Sequence, residues 1–141
     1  MKRICIIDGQ GGGIGSVIIK QLRAVFGEAI EIIALGTNAI ATAQMLKARA
    51  NCGASGSNAI IQTVKQVDVI IGPIAIIMAQ AMMGEVTPAI AEAVSSSPAK
   101  KILIPLSREK IEIVGTTPTP LPRLIETMIK ENLQPIINLD A

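Results

Sequence analysis

The sequence predicts an α/β fold in three layers, a mostly parallel sheet of four to five strands with helices on both faces. Three observations lead there. Short apolar runs of strand length alternate with stretches of helical periodicity, the βαβ signature of a covered parallel sheet. The first apolar run is continuous rather than alternating, as in a strand buried on both faces. A glycine-rich turn then separates that strand from the first helical stretch. At 141 residues the chain has the length of one ordinary α/β domain, and no repeat or low-complexity linker divides it. A cofactor domain joined to a separate catalytic domain would need roughly twice the chain.

The elements follow in order. Arg3–Ile7 is the first strand. The helix from about Ile14 to Phe26 places Ile14, Val17, Ile18, Leu22, Val25 and Phe26 on one stripe, with Lys20, Gln21 and Arg23 facing out. Gly27 supplies its left-handed stop. Ile30–Leu35 is the second strand, closed by Gly36, and Asn38 caps a helix running to about Ala50. Residues 53–58 read as a flexible turn before a short helix carrying Ile60, Ile61, Val64 and Val67. Asp68–Ile71 is the third strand, ended by Gly72-Pro73. Ile74–Met83 reads as a helix apolar all round, buried in the domain or in an oligomer contact and ended by Gly84. Thr87 caps the next helix, with Pro88 at its first position, to about Ser95. Lys101–Leu106 is the fourth strand. Only residues 107–110 separate it from Ile111–Gly115, too few for a parallel crossover. These two either pair as a C-terminal antiparallel hairpin or one lies outside the sheet. Prolines 118, 120 and 122 exclude a central strand there. A last helix runs from Pro122 to about Asn132, and the tail 133–141 is apolar enough to dock.

Composition narrows the chemistry. The chain has one Phe and no Trp, Tyr or His. Without His there is no Ser-His-Asp or Cys-His nucleophile system and no His-bearing zinc site, and no metal site is expected. Without Tyr, the Tyr–Lys proton donor of the short-chain dehydrogenases is missing. One aromatic residue cannot build a base-stacking platform, and a net charge of +2 is spread thinly, so nucleic acid is not an expected partner. The local basic group Lys100, Lys101, Arg108 and Lys110 suits an edge strand kept soluble by charge. The most apolar stretch, Val69–Ala79, is interrupted by Gly72-Pro73 and is shorter than the ~18–20 residues that span a bilayer. No basic and then apolar leader opens the chain, and two cysteines are too few for a disulfide scaffold. A cytoplasmic protein without membrane partners is expected, with Cys5 packed in a buried strand.

Five of the twelve glycines lie in seven residues, within Asp8-Gly9-Gln10-Gly11-Gly12-Gly13-Ile14-Gly15-Ser16. A tight strand-to-helix turn needs positive φ, which glycine adopts without a Cβ clash. Bare backbone also lets a phosphate approach, and free N–H groups at a helix N-terminus favour an anion. Gly11-x-Gly13-x-x-Ser16 approximates the dinucleotide fingerprint, and Gly9-x-x-x-Gly13-Ile14-Gly15 resembles the glycine pattern of the short-chain dehydrogenases. No Gly-Lys-Ser/Thr makes it a P-loop. Packing alone explains one or two glycines, not five. Asp8 stands where those dehydrogenases usually carry Thr; it either caps the loop's own amides or meets a ligand.

An NAD site places Asp or Glu at the end of the second strand, and an NADP site places Arg nearby. This chain has Gly36-Thr37-Asn38 there, with Lys47 the next basic residue. Thr37 and Asn38 either bond a ribose or cap the second helix. The cofactor is therefore open between NAD(P), a mononucleotide and other phosphorylated metabolites. Gly72-Pro73 and the end of the fourth strand share the sheet edge with the glycine loop, where ligands of open parallel sheets bind. Asp8, Gln10, Thr37, Asn38, Glu85, Thr87 and Ser107 supply its polar groups. Asp8 and Glu85 are the acid/base candidates, Glu85 competing with a role as a solvated turn or capping carboxylate.

Four separated motifs, residues 7–15, 34–42, 68–74 and 100–105, together resemble a family of short bacterial proteins known as a domain of unknown function. The resemblance covers residues 1 to about 115. It implies a Rossmann-like fold and a nucleotide site at the glycine loop, and no known activity. The leading expectation is a protein that binds a phosphate-bearing small molecule at residues 9–16. An atypical oxidoreductase or transferase, and an oligomeric assembly module, are the alternatives. A mean hydropathy of +0.52 also suggests a homo-oligomer.

Overall fold

Five strands, all parallel, form the centre of a computed structural model that describes residues 1–106 and 109–138. They are β1 (Arg3–Asp8), β2 (Glu31–Gly36), β3 (Cys52–Ser55), β4 (Val69–Pro73) and β5 (Lys100–Ile104), in the order β3-β2-β1-β4-β5. β1 lies at the centre, paired with β2 from Arg3↔Glu31 to Asp8↔Gly36 and with β4 from Ile4↔Val69. This is the doubly wound arrangement: the chain builds outward through β2 and β3, then crosses to β4 on the other side of β1.

Alternation along the strands explains the layers. Ile4 and Ile6 point to one face, where they pack with Ile18, Ile19 and Leu22 of α1 (Gly13–Phe26), Met45 of α2 (Ala39–Lys47) and Ile125 of a C-terminal helix. Cys5 and Ile7 point to the other, against Ile60 of α3 (Ser57–Thr63) and Ile90 and Val94 of α4 (Pro88–Ser96). Burial of Cys5 pushes its thiol far above the ordinary cysteine range, whereas Cys52 is exposed on the edge strand.

Several expectations are corrected. Residues 52–55, expected within a helix exit and turn, form the edge strand β3. Its Cys-Gly-Ala-Ser sequence has no β-branched or large side chain; the ladder to Ile33–Gly36 holds it extended, and Thr42 of α2 bonds the Ala54 carbonyl and the Ser55 hydroxyl. Ile74–Met83 is not a helix. A single 3-10 turn, Ile74–Ile77, gives way to tight turns, and Met83 is exposed. Ile111–Gly115, expected as a strand, is exposed and forms none; of the two alternatives it is the segment outside the sheet, and among the described residues β5 is the sheet edge with no antiparallel hairpin. The last helix begins as α5 (Leu121–Met128), widens to a π turn over Ile129–Leu133 and continues as α6 (Gln134–Asn138). In α1 the buried stripe is Gly15, Ile18, Ile19 and Leu22, and Val25 faces solvent.

Arg23, expected to face out, is 5% exposed. Its guanidinium donates to the carbonyls of Arg49 (2.8 Å), Gly27 (2.8 Å) and Ile30 (3.2 Å) and to Asn51 Oδ1 (2.6 Å). Four acceptors compensate the desolvation of this charge. Ser107 and Arg108, and the tail beyond residue 138, lie outside the described residues.

Candidate functional site

The carboxyl ends of β1, β2 and β4 meet at the turn between β1 and α1. Asp8, the last residue of β1, is buried. Its Oδ1 accepts the Gly9 N–H at 2.8 Å and its Oδ2 the Gly15 N–H at 2.7 Å, so one carboxylate ties both ends of the turn. Burial pushes this carboxyl above the ordinary aspartate range; the amides of Gly15, Gly9 and Ile14 oppose the rise, and the charge of Glu85 adds to it.

The turn's glycines fall into two groups. Gly12 has φ +73°, and a Cβ there would meet the Ala41 carbonyl oxygen at 2.8 Å. A Cβ on Gly15 would meet Met45 Sδ at 2.5 Å, and one on Gly9 would meet Thr37 Oγ1 at 2.5 Å and Met82 Sδ at 2.6 Å. These three are needed by the fold. Gly11 and Gly13 are different: a Cβ on either meets nothing within 4 Å, and neither has a left-handed backbone. Their N–H groups donate to nothing among the described residues. Both are exposed at the N-terminal end of α1.

Glu85 comes to this turn from the β4–α4 connection. Its Oε1 accepts three hydrogen bonds, from Thr37 Oγ1 (2.6 Å), Gln10 N–H (2.8 Å) and Asn38 Nδ2 (2.9 Å). Asn38 in turn caps α2 by accepting the Ala41 N–H at 2.9 Å. Partial burial raises the Glu85 carboxyl, and the bonds from Thr37, Gln10 and Asn38 outweigh it, holding the group below the ordinary glutamate range. The connection is contorted to reach this point. Gln80, Met82 and Met83 have φ of +71°, +56° and +58°, followed by Gly84 at +90°. Left-handed backbone costs a non-glycine residue ~1–2 kcal/mol.

On the β4–β5 side of the turn lies an open cavity of about 790 Å³. Residues 8–14 form one wall, and Pro73, Ala75, Gln80, Met82, Met83, Leu106 and Glu109 form the other. Glu109 Oε1 accepts the Met82 N–H at 3.2 Å. Across Leu106 is a second cavity of about 390 Å³, reached by Ile74, Met78, Ile111, Ile113 and Leu124. No Lys or Arg among the described residues lines the larger cavity, so what those residues offer an anion is backbone N–H groups and the α1 dipole.

Of the residues singled out in the sequence, Asp8, Gly9, Gln10, Gly11, Gly12, Gly13, Ile14 and Pro73 line this cavity. Gly15 and Ser16 lie behind it in α1, where Ser16 Oγ donates to the Gly12 carbonyl at 2.7 Å. Thr37 and Asn38 belong to the Glu85 contact, Gly36 packs against Thr42 and the Asn38 carbonyl, and Gly72 packs against the Ile7 carbonyl. Thr87 accepts the Ile90 N–H and caps α4. Ser107 lies outside the described residues. Sequence reasoning missed Gln80, Met82 and Met83, because the apolar run 74–83 reads as a helix, and Glu109, which belongs to no motif. Among the described residues no three His, Cys, Asp or Glu side chains are grouped to hold a metal, and no helix is long and apolar enough to cross a membrane.

A dinucleotide laid across such a sheet puts its pyrophosphate on the glycine turn and its adenosine ribose against an acid at the end of β2. The residues here do not fit that arrangement. β2 ends without an acid, and Glu85 bonds across the ends of β1 and β2 through Gln10, Thr37 and Asn38.

The chain belongs to the family described as Domain of unknown function (DUF3842), which it matches over residues 3–137. A sequence search of curated proteins finds no match. Among solved structures, the fold is similar to apo saccharopine dehydrogenase (L-Glu forming) from Saccharomyces cerevisiae, at a TM-score of 0.50 and 14% identity. The likeness covers 87% of this chain and 23% of that one, so this chain spans less than a quarter of the enzyme's length. It establishes a Rossmann-like α/β fold.

Proposed function

We propose that the protein binds a nucleotide or another phosphate-bearing small molecule in the cavity beside the glycine turn. The phosphate would take the N–H groups of Gly11 and Gly13 at the start of α1, and the remainder would extend toward Pro73, Gln80 and Leu106. The observation that carries this reading is the pair of glycines with no structural need to be glycine. Neither a left-handed backbone nor a neighbouring atom requires Gly11 or Gly13, yet both line the cavity with amides that have no partner among the described residues. Bare backbone at a helix N-terminus suits the close approach of an anion. A volume near 790 Å³ is within the range of small-ligand sites and accepts a mononucleotide-sized compound.

The test uses the missing aromatics. Without Trp or Tyr the protein absorbs almost nothing near 280 nm, so a copurifying nucleotide dominates the ultraviolet spectrum. Mass spectrometry of the released compound then identifies it. Thermal melting with AMP, ADP and inorganic pyrophosphate is expected to show a concentration-dependent rise that Gly13→Leu abolishes. No shift with any of them removes the reading.

A further inference from the structure

Glu85 is half-buried and holds the most heavily bonded side-chain oxygen at the turn. Three donors from two strand ends converge on its Oε1: Gln10 follows β1, while Thr37 and Asn38 follow β2. β1 and β2 are neighbours, registered at Asp8↔Gly36, so the carboxylate spans the crevice between them. The residue itself arrives from beyond β4, which lies on the opposite side of β1. Its connection therefore passes over the end of β1, and Met82 lies against Gly9 on the way. Position 9 has no room for a side chain beneath this crossing, since a Cβ would lie 2.6 Å from Met82 Sδ and 3.0 Å from Glu85 Oε1.

We infer that Glu85 is a specificity-determining residue that closes the β1–β2 crevice to the adenosine half of a dinucleotide. The site is thereby confined to ligands that fit on the β4–β5 side of the glycine turn. The inference rests on the phosphate-site reading above and adds which ligands that site refuses. Two physical effects act together. The carboxylate and its connection occupy the volume a ribose would need. Its negative charge also repels a ribose phosphate at the same point. The crevice is otherwise well furnished for a ribose: the hydroxyl of Thr37, the amide of Asn38 and the Gln10 N–H form a ready set of donors once Glu85 leaves.

The experiment is calorimetric titration of wild type and Glu85→Ala with two probes, inorganic pyrophosphate and ADP-ribose. Pyrophosphate is expected to bind both proteins with affinities within about threefold. ADP-ribose is expected to bind the variant at least tenfold more tightly than wild type. Glu85→Gln, whose amide oxygen accepts from the same three donors, is expected to stay closed to ADP-ribose. If Glu85→Ala does not fold, Glu85→Asp, one methylene too short to reach all three donors, is read in its place. ADP-ribose binding as tightly to wild type as to the variant overturns the inference, because Glu85 then closes nothing. Failure of both proteins to take ADP-ribose while pyrophosphate still binds also overturns it, and leaves the phosphate site standing. Failure of wild type to bind pyrophosphate overturns the phosphate-site reading, and the inference falls with it.

Discussion

Thr37 and Glu85 are 48 residues apart in sequence, and the hydroxyl of one donates to the carboxylate of the other at 2.6 Å. The bond joins the end of β2 to the β4–α4 connection and fixes the contorted segment that carries Glu85. A hydrogen bond to a charged acceptor contributes about 1.5–3 kcal/mol when buried, and the half-exposed position of Glu85 reduces this. Thr37→Val is expected to lower stability by about 1 kcal/mol, read as a shift in urea midpoint at constant slope. An unchanged midpoint would mean that water replaces the bond at no cost.

The pH dependence of that contact has a definite sign. The folded protein holds Glu85 below the ordinary glutamate value. Its contribution is therefore full above about 4.3, the unfolded value, and is lost as pH falls through the lowered folded value. Asp8 has the opposite sign: its folded value is raised, so its contribution is full below the unfolded aspartate value and is lost as pH rises through the folded one. Wild type is expected to exceed Glu85→Gln in stability by ~0.5–1 kcal/mol at pH 7 and to match it in strong acid. A difference that persists unchanged into acid contradicts the assignment.

Two adjacent glycines are expected to behave oppositely. Gly12→Ala forces a Cβ into left-handed backbone and against the Ala41 carbonyl, at a cost of about 2–4 kcal/mol. Gly13→Ala meets open space on ordinary backbone and is expected to leave stability unchanged or raise it by up to ~1 kcal/mol. Thermal melting of the two variants without ligand checks both, and equal losses would show that Gly13 is structural after all.

Arg23 is a test of the fold away from the site. Arg23→Met leaves Asn51 Oδ1 and the carbonyls of Arg49, Gly27 and Ile30 without their guanidinium partner, and is expected to cost about 3 kcal/mol. Arg23→Lys recovers only part of this, because an ammonium cannot match the planar fork. Pyrophosphate affinity is expected to stay at the wild-type value in whatever fraction remains folded, as measured by calorimetry below the melting temperature.

The mostly parallel sheet, a first strand covered on both faces and the glycine turn were all legible in the residues. Ile4 to Ile7 form an unbroken apolar run, and a strand covered on both faces needs nothing else to declare itself. The caps at Asn38 and Thr87 were legible for a similar reason, since an oxygen-bearing side chain ahead of an apolar helix has a local partner. β3 was not legible. Cys-Gly-Ala-Ser has no propensity for a strand, and tertiary partners, the edge of β2 and Thr42 of α2, make it one. Nor was the burial of Arg23, which depends on carbonyls from three other segments closing around it.

The site divides in the same way. A cluster of glycines after a buried strand points to a backbone cradle from sequence alone, because positive φ and close approach are properties of the residue type. Which glycines serve the fold and which face open space depended on the positions of Ala41, Met45, Thr37 and Met82, all distant in sequence. Glu85 shows the limit most clearly. Its neighbours Gly84, Val86 and Thr87 describe a turn between two elements, and nothing local ties it to Gln10 or Thr37. That contact exists because the chain crosses from β3 over to β4 on the far side of β1, and a crossover of the backbone leaves no mark in the residues that it brings together.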